Sequence, residues 1–347
     1  MTEGTIAPPQ APSAGTTPEV PAGGAPSWQI WTALWIVYIV WGSTYLAIRV
    51  VVETVPPLLG AGARFGVAGA VLVAALALRR GFAAVRPTRA QLGGALLVGL
   101  LLPGANAVVS LAEQEVPSSI AALLIGSVPL WVILMRAGTG DRVSLRGAAS
   151  VLVGFAGVAL LVRPGEQSGD ATVLGLLACV GAALMWASGS FASPRLSLPR
   201  DPLASVGWQM LLGGILITVV GLAVGEGGDV DVEAFSARSL LALAYLIVFG
   251  SWVAYTAYAW LLQNAPISRV ATYAYVNPVV AIVLGWLILD EVITPITLVG
   301  AAIIVVSVAL VVRIESTLRA DSQRNGDRGD QVGAVPALER DGEGIRA

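Results

Sequence analysis

A single arginine, Arg64, stands seven residues past Pro57 in the stretch Trp41 to Arg64 (WGSTYLAIRVVVETVPPLLGAGAR), where two apolar runs flank a Pro56-Pro57 break. At 1.5 Å of rise per residue it lies roughly 10 Å inside a helix that begins at Pro57. A guanidinium that deep in apolar sequence needs a partner or water, and it normally faces a bundle interior or a cavity. The chemistry it offers is recognition of a carboxylate or a phosphate. The alternative is structural, with Arg64 snorkelling outward or pairing with Glu53 or Glu113.

Bond-making chemistry finds little support. The 347 residues include no histidine and one cysteine, Cys179, which excludes the common zinc spacings, a Cys-His nucleophile pair and an intramolecular disulfide. No carboxylate is predicted in the middle of any helix, which disfavours a cation antiporter built on a midplane acid. The expectation is therefore a non-enzyme without metal or cofactor.

Other candidates are aromatic, hydroxyl or amide side chains. Trp41 falls about a dozen residues into its helix, near the bilayer centre rather than the headgroup belt. Ser43, Thr44 and Tyr45 stand beside it. The stretch reappears 145 residues later as WASGSFASPRLSLPRDPLASVGWQ, placing Trp41 over Trp186, Ser43 over Ser188, Pro57 over Pro202 and Arg64 over Gln209. These helices offer apolar and hydroxyl contacts to a small ligand, or else small-residue helix packing. Further along, Trp252, Tyr255 and Tyr258 recur at three-residue spacing, and an offset of 149 pairs Asn106 with Tyr255. Tyr273 and Asn277, four apart, share a face from which Tyr275 points away.

What must position these residues is a set of membrane helices. With 56% hydrophobic and 12% charged residues, the chain has too little polar surface for a soluble domain. Ten apolar runs, each about long enough to cross a core of ~30 Å, are predicted. They are approximately 30–50, 58–78, 92–111, 118–135, 145–162, 173–191, 203–224, 240–262, 270–289 and 296–312. Residues 1–27 and 314–347 read as disordered tails, the first proline-rich and the second charged and Gly-rich. All 20 basic residues are arginine. A cytoplasmic N-terminus puts sixteen of them on the inner side and three, Arg49, Arg163 and Arg238, on the outer side. Both termini are thus expected in the cytoplasm.

The duplication extends further. Pro117 and Pro266 open helices four and nine, Pro129 and Pro278 lie inside them at the same offset of 149, and Asp141 matches Glu291 at 150. A unit of five crossings must re-enter from the opposite side when repeated, which gives inverted repeats, 28–163 and 171–313, as in many secondary transporters. The paired prolines would kink helices four and nine where gates move.

WGSTYLAIRV, PPLLGAGARFGVAGA, EVPSSIAALLIGSVPL and ATYAYVNPVVAIVLGWLILDE together resemble the EamA-type drug/metabolite transporters over nearly all of residues 30–312. One departure is Gly140-Asp141-Arg142, where that family commonly has a Gly-Glu pair. The resemblance implies an all-α inner-membrane carrier of ten transmembrane helices. It implies export of metabolites, amino acids or drug-like solutes by alternating access. Carried over by position, its cavity residues are Trp41, Ser43, Tyr45, Asn106, Trp186, Tyr255, Tyr275 and Asn277, to which the residue reading adds Arg64 and Ser188. The expected partners are a small-molecule substrate and the lipid bilayer, with no nucleic acid. The competing classes are an intramembrane enzyme, which needs clustered nucleophiles or acids, and a non-transporting scaffold or receptor, which would bind partners through its tails.

Overall fold

A bilayer supplies no water to satisfy backbone N–H and C=O groups, so an apolar chain closes its hydrogen bonds within each segment, and helices do this. The computed structural model describes residues 26–140, 143–162, 171–265 and 267–333, and all regular elements among them are helical. In chain order the principal helices are α1 (Ser27–Val51), α2 (Pro57–Arg80), α3 (Arg89–Ala112), α4 (Ser118–Gly138), α5 (Leu145–Val162), α6 (Val173–Ala192), α7 (Pro202–Ala223), α8 (Ala237–Leu262), α9 (Tyr273–Leu289) and α10 (Pro295–Gly333). Among the described residues nine helices are long and apolar enough to cross a membrane, and α9 is a shorter apolar helix.

Their starts follow from local sequence. Pro57 and Pro202 occupy the first helical turn, where a missing N–H costs nothing. Thr88 and Gln91 cap α3 reciprocally, and Thr172, Asp201 and Ser236 cap α6, α7 and α8.

The frame is set by α2 and α7, the two helices that carry Arg64 and its counterpart Gln209. They run antiparallel, because Arg80 at the end of α2 pairs with Asp201 before α7, while Glu226 just past α7 bonds to Leu58 and Leu59 at the start of α2. Lipid tails are as apolar as leucine, so close packing rather than apolar burial holds such helices together. Gly62, Gly69 and Gly214 put the two backbones nearly in contact, and a Cβ on Gly213 would fall 2.6 Å from the Gly99 carbonyl oxygen of α3. Large apolar side chains such as Leu152, Leu174 and Leu287 point outward, 72%, 78% and 65% exposed, onto the surface that lipid would cover.

Four elements differ from the sequence expectation. First, α4 is two pieces, Ser118–Ile125 and Val128–Gly138, because Pro129 has no N–H for the Ile125 carbonyl and its ring crowds that group. Second, the middle of α8, Leu246–Val253, is π-helical. Third, α9 starts at Tyr273 rather than Val270, since Ala271 and Thr272 form a turn after the short helix Ile267–Val270. Fourth, α10 continues to Gly333 across the first part of the expected disordered tail, a stretch without proline that holds good helix formers such as Glu315, Leu318 and Ala320. Most of the first expected tail (1–25) and the end of the second (334–347), together with Asp141, Arg142, Arg163 and Pro266, lie outside the described residues.

Candidate substrate cavity

A cavity of about 100 Å³ lies between the halves of the chain, lined from α1, α2, α3, α4, α6, α8 and α9. At the ~10–15 Å³ that one water occupies on this measure, it holds several waters or a solute of amino-acid size.

Arg64 is 4% exposed and lines this cavity. Its Nε donates to Ser251 Oγ and its Nη1 to Asn106 Oδ1, both at 3.4 Å, and its guanidinium lies 4.6 Å from the centroid of the Phe65 ring. These are long, neutral contacts. The carboxylates weighed as partners are elsewhere: Glu53 meets Arg238 at 3.6 Å, and Glu113 has no hydrogen bond to its side chain among the described residues. A guanidinium held by an amide, a hydroxyl and an aromatic face still has donors for an anion.

Trp41 forms the aromatic wall. Its ring centroid lies 5.2 Å from Tyr255, 5.1 Å from Tyr258 and 5.3 Å from Tyr273, with the Tyr255 and Tyr273 pairs edge-to-face. The Trp41 indole N–H donates to the Gly250 carbonyl at 3.3 Å. Gly250 and Ser251 both belong to the π-helical segment, which thus supplies the carbonyl to Trp41 and the hydroxyl to Arg64. A Cβ on Gly250 would lie 3.2 Å from Arg64 Nη2, so a larger side chain there would crowd the guanidinium.

Acceptors line the same cavity. Asn277 is 8% exposed and lines the cavity, and its Oδ1 has no partner among the described residues. Pro129 and Pro278 deny the carbonyls of Ile125 and Ala274 their helical N–H, and all four residues line the cavity. The two prolines mark one contact zone, because a Cβ on Gly126, at the break in α4, would fall 2.9 Å from Pro278 Cγ.

Trp41, Tyr45, Arg64, Asn106, Trp186, Tyr255 and Asn277, with Pro129 and Pro278, are thus brought together around one cavity. Three other sequence candidates are not on its lining. The Ser43 hydroxyl donates to the Val40 carbonyl at 2.9 Å and pairs with Tyr245 OH at 2.7 Å, which ties α1 to α8. Ser188 is half-buried and donates to the Leu184 carbonyl at 2.8 Å. Tyr275 packs against the core cluster built around α4, α5 and α10. Thr44 and Tyr273, named in the sequence reading but not among its cavity candidates, also line the cavity. Helical spacing was the signal, since 41 with 44 and 273 with 277 share faces. Gln209 donates to Ser205 Oγ at 2.8 Å within its own helix, outside the lining. Among the described residues no three His, Cys, Asp or Glu side chains lie together as a metal site would need.

The pattern of the EamA-like transporter family matches residues 28–163 and 173–313. The chain is 37% identical over 281 residues to the uncharacterized inner membrane transporter YedA of Escherichia coli (strain K12), covering 80% of this chain and 89% of that protein. It is 26% identical over 277 residues to the probable amino-acid metabolite efflux pump of the same organism, covering 78% and 90%. A solved structure described only as the crystal structure of a protein shares its fold, with a TM-score of 0.59 at 23% identity, over 85% of this chain and 99% of the other. Two successive matches to one family pattern span most of this apolar, helical chain, which therefore belongs to the EamA-like transporter family.

Proposed function

We propose that this chain is a secondary transporter of small zwitterionic solutes of the amino-acid class, exporting them across the inner membrane by alternating access. Ten crossings form two inverted five-helix repeats with both termini cytoplasmic, and the repeats rock about the cavity between them. The observation that carries the reading is Arg64, buried at 4% exposure and facing the cavity, with no carboxylate of the described residues paired to it. A substrate carboxylate supplies the missing anion. Asn277 Oδ1, the carbonyls freed by Pro129 and Pro278, and the faces of Trp41 and its tyrosines suit a substrate ammonium. The cavity volume supports the same size class, as does the relative named an amino-acid metabolite efflux pump.

The test is counterflow of radiolabelled amino acids into proteoliposomes. Wild-type protein is expected to exchange at least one amino acid faster than protein-free liposomes. Arg64→Gln should weaken apparent affinity by about 2 kcal/mol, roughly thirtyfold, the size of a lost hydrogen bond to a charged group. No exchange across a broad amino-acid panel sinks the reading, and an unchanged affinity in Arg64→Gln returns Arg64 to a structural role.

A further inference from the structure

Glu113 ends α3 on the side predicted to face outward, and it is wholly shielded from solvent at 0% exposure. Its backbone carbonyl accepts a hydrogen bond from Arg49 Nη1, but neither oxygen of its carboxyl group has a hydrogen-bond partner among the described residues. On α3 it follows Val109 by four residues and Asn106 by seven, so all three share a face. Val109 and Asn106 line the cavity. Glu113 therefore sits in the roof, one turn beyond the cavity's outer end.

The ionisable groups close enough to interact with it come from three places. Helix α1 supplies Tyr45 and Arg49, α6 supplies Cys179, and the link between α9 and α10 supplies Glu291. The only cation among these, Arg49, is directed at the Glu113 carbonyl rather than its carboxyl group. Glu291 is already bound to Ser118 and Ser119, and its negative charge opposes a second one nearby. On the same loop Glu115 is exposed and accepts from Thr172 Oγ1. Burial first and the nearby Glu291 second push the Glu113 carboxyl well above the usual carboxylate range, against a smaller opposite pull from Arg49.

An unpaired carboxylate out of contact with water is costly, whereas a protonated carboxyl in the same place is not. With the roof closed, the proton stays on. If the outer ends of α1, α3 and α4 part, water reaches the group and the anion becomes the stable form. We propose that Glu113 is a proton-binding site whose occupancy favours the closed outer roof of the cavity and whose ionisation favours the open one. Acid on the outer side then shifts the carrier toward the closed form, by the same free energy with which closure raises proton affinity. The inference rests on the alternating-access reading of the cavity, but its test does not require that a substrate be known.

Two measurements test it. In the first, wild-type protein in liposomes is treated with dicyclohexylcarbodiimide, which adds to protonated carboxyls in apolar surroundings, and the adduct is mapped by mass spectrometry. An adduct on Glu113 that declines as pH rises is expected, and no adduct on Glu113 at acid pH in folded protein overturns the site. In the second, Val116→Cys on a Cys179→Ala background places a thiol at the roof, where Val116 is 0% exposed, and spheroplasts are treated with a membrane-impermeant maleimide. Labelling should accelerate several-fold with pH beyond the thiol's own titration when Glu113 is present. It should stay slow when Glu113→Gln is added. A profile that is flat with Glu113 in place, or the same in both proteins, overturns the coupling. The first outcome requires no substitution at position 113. Solute exchange enters neither measurement, so a carrier with no detectable substrate and a carrier with no proton site give different results.

Discussion

Glu291 accepts two hydrogen bonds from Ser118, one from its backbone N–H and one from its hydroxyl, both at 2.7 Å, and a third at 3.0 Å from the N–H of Ser119. The carboxylate comes from the second half of the chain and closes the N-terminus of α4 in the first. Glu226 does the same for α2, accepting from Leu58 at 3.0 Å and Leu59 at 2.9 Å. Both helices follow prolines that offer no side-chain cap, so their free N–H groups and positive ends are satisfied from across the molecule. Asp290, in the left-handed region at φ 52°, turns the chain so that Glu291 can reach α4.

Glu291→Gln keeps an acceptor oxygen but loses the charge and the second acceptor. It should lower stability by about 1–2 kcal/mol, as loss of a helix cap or of a charged hydrogen bond does. Thermal unfolding of purified protein in detergent checks this, with Glu226→Gln expected to act in the same direction. Unchanged midpoints for both variants would show that the carboxylates do not hold the halves together.

Asn277 offers an unpartnered amide oxygen to the cavity, and its loss should act on one end of the substrate only. Asn277→Leu is expected to reduce apparent affinity for an amino acid by about 1 kcal/mol, some fivefold, while sparing the corresponding carboxylic acid that lacks the amine. Competition of each compound against labelled counterflow measures both numbers. Equal losses for the two would move Asn277 from amine recognition to the packing of α9.

The scaffold of this site was legible because its signals are repeated and strong. Long apolar runs, the Trp41/Trp186 and Pro129/Pro278 matches and the isolated charge of Arg64 indicated which helices converge. Side-chain direction was harder to read, because it depends on helical phase rather than residue type. Ser43 and Thr44 are adjacent hydroxyls, yet Thr44 faces the cavity and Ser43 faces Tyr245. The spacing of Tyr273 and Asn277 puts them on one face, whereas the family resemblance points to Tyr275, which packs in the core instead. The π-helical turn of α8 left no trace in LIVFGSWV that periodicity could detect, although it supplies both the Gly250 carbonyl to Trp41 and the Ser251 hydroxyl to Arg64. Glu291 stands out in the sequence only as the match of Asp141, and nothing there marks Glu226, since only the three-dimensional fold brings the two acids to helices more than 160 residues earlier.

Asp201 links the predicted inner ends of α2 and α7 and gives the frame a defined pH dependence. Its Oδ1 caps α7 by accepting from Ala204 at 2.8 Å, and its Oδ2 pairs with Arg80. Partial burial opposes ionisation, but the Ala204 N–H and the Arg80 guanidinium outweigh it and hold the carboxyl below the usual aspartate range. Because the folded value is depressed, the stability this charge contributes is complete above the unfolded pKa of about 3.9. It is lost as pH falls through the lower folded value. Arg80 is 53% exposed and Asp201 31%, so solvent screens the pair and its share is under about 1 kcal/mol. Asp201→Asn should therefore lower the unfolding midpoint slightly at pH 7 and by progressively less as the pH is brought below 4. Asp201→Ala, which removes the cap as well, should cost about 1 kcal/mol more and keep most of that deficit in acid. A gap between wild type and Asp201→Asn that stays constant from pH 7 to pH 3 would show that the charge itself contributes nothing to the joint between α2 and α7.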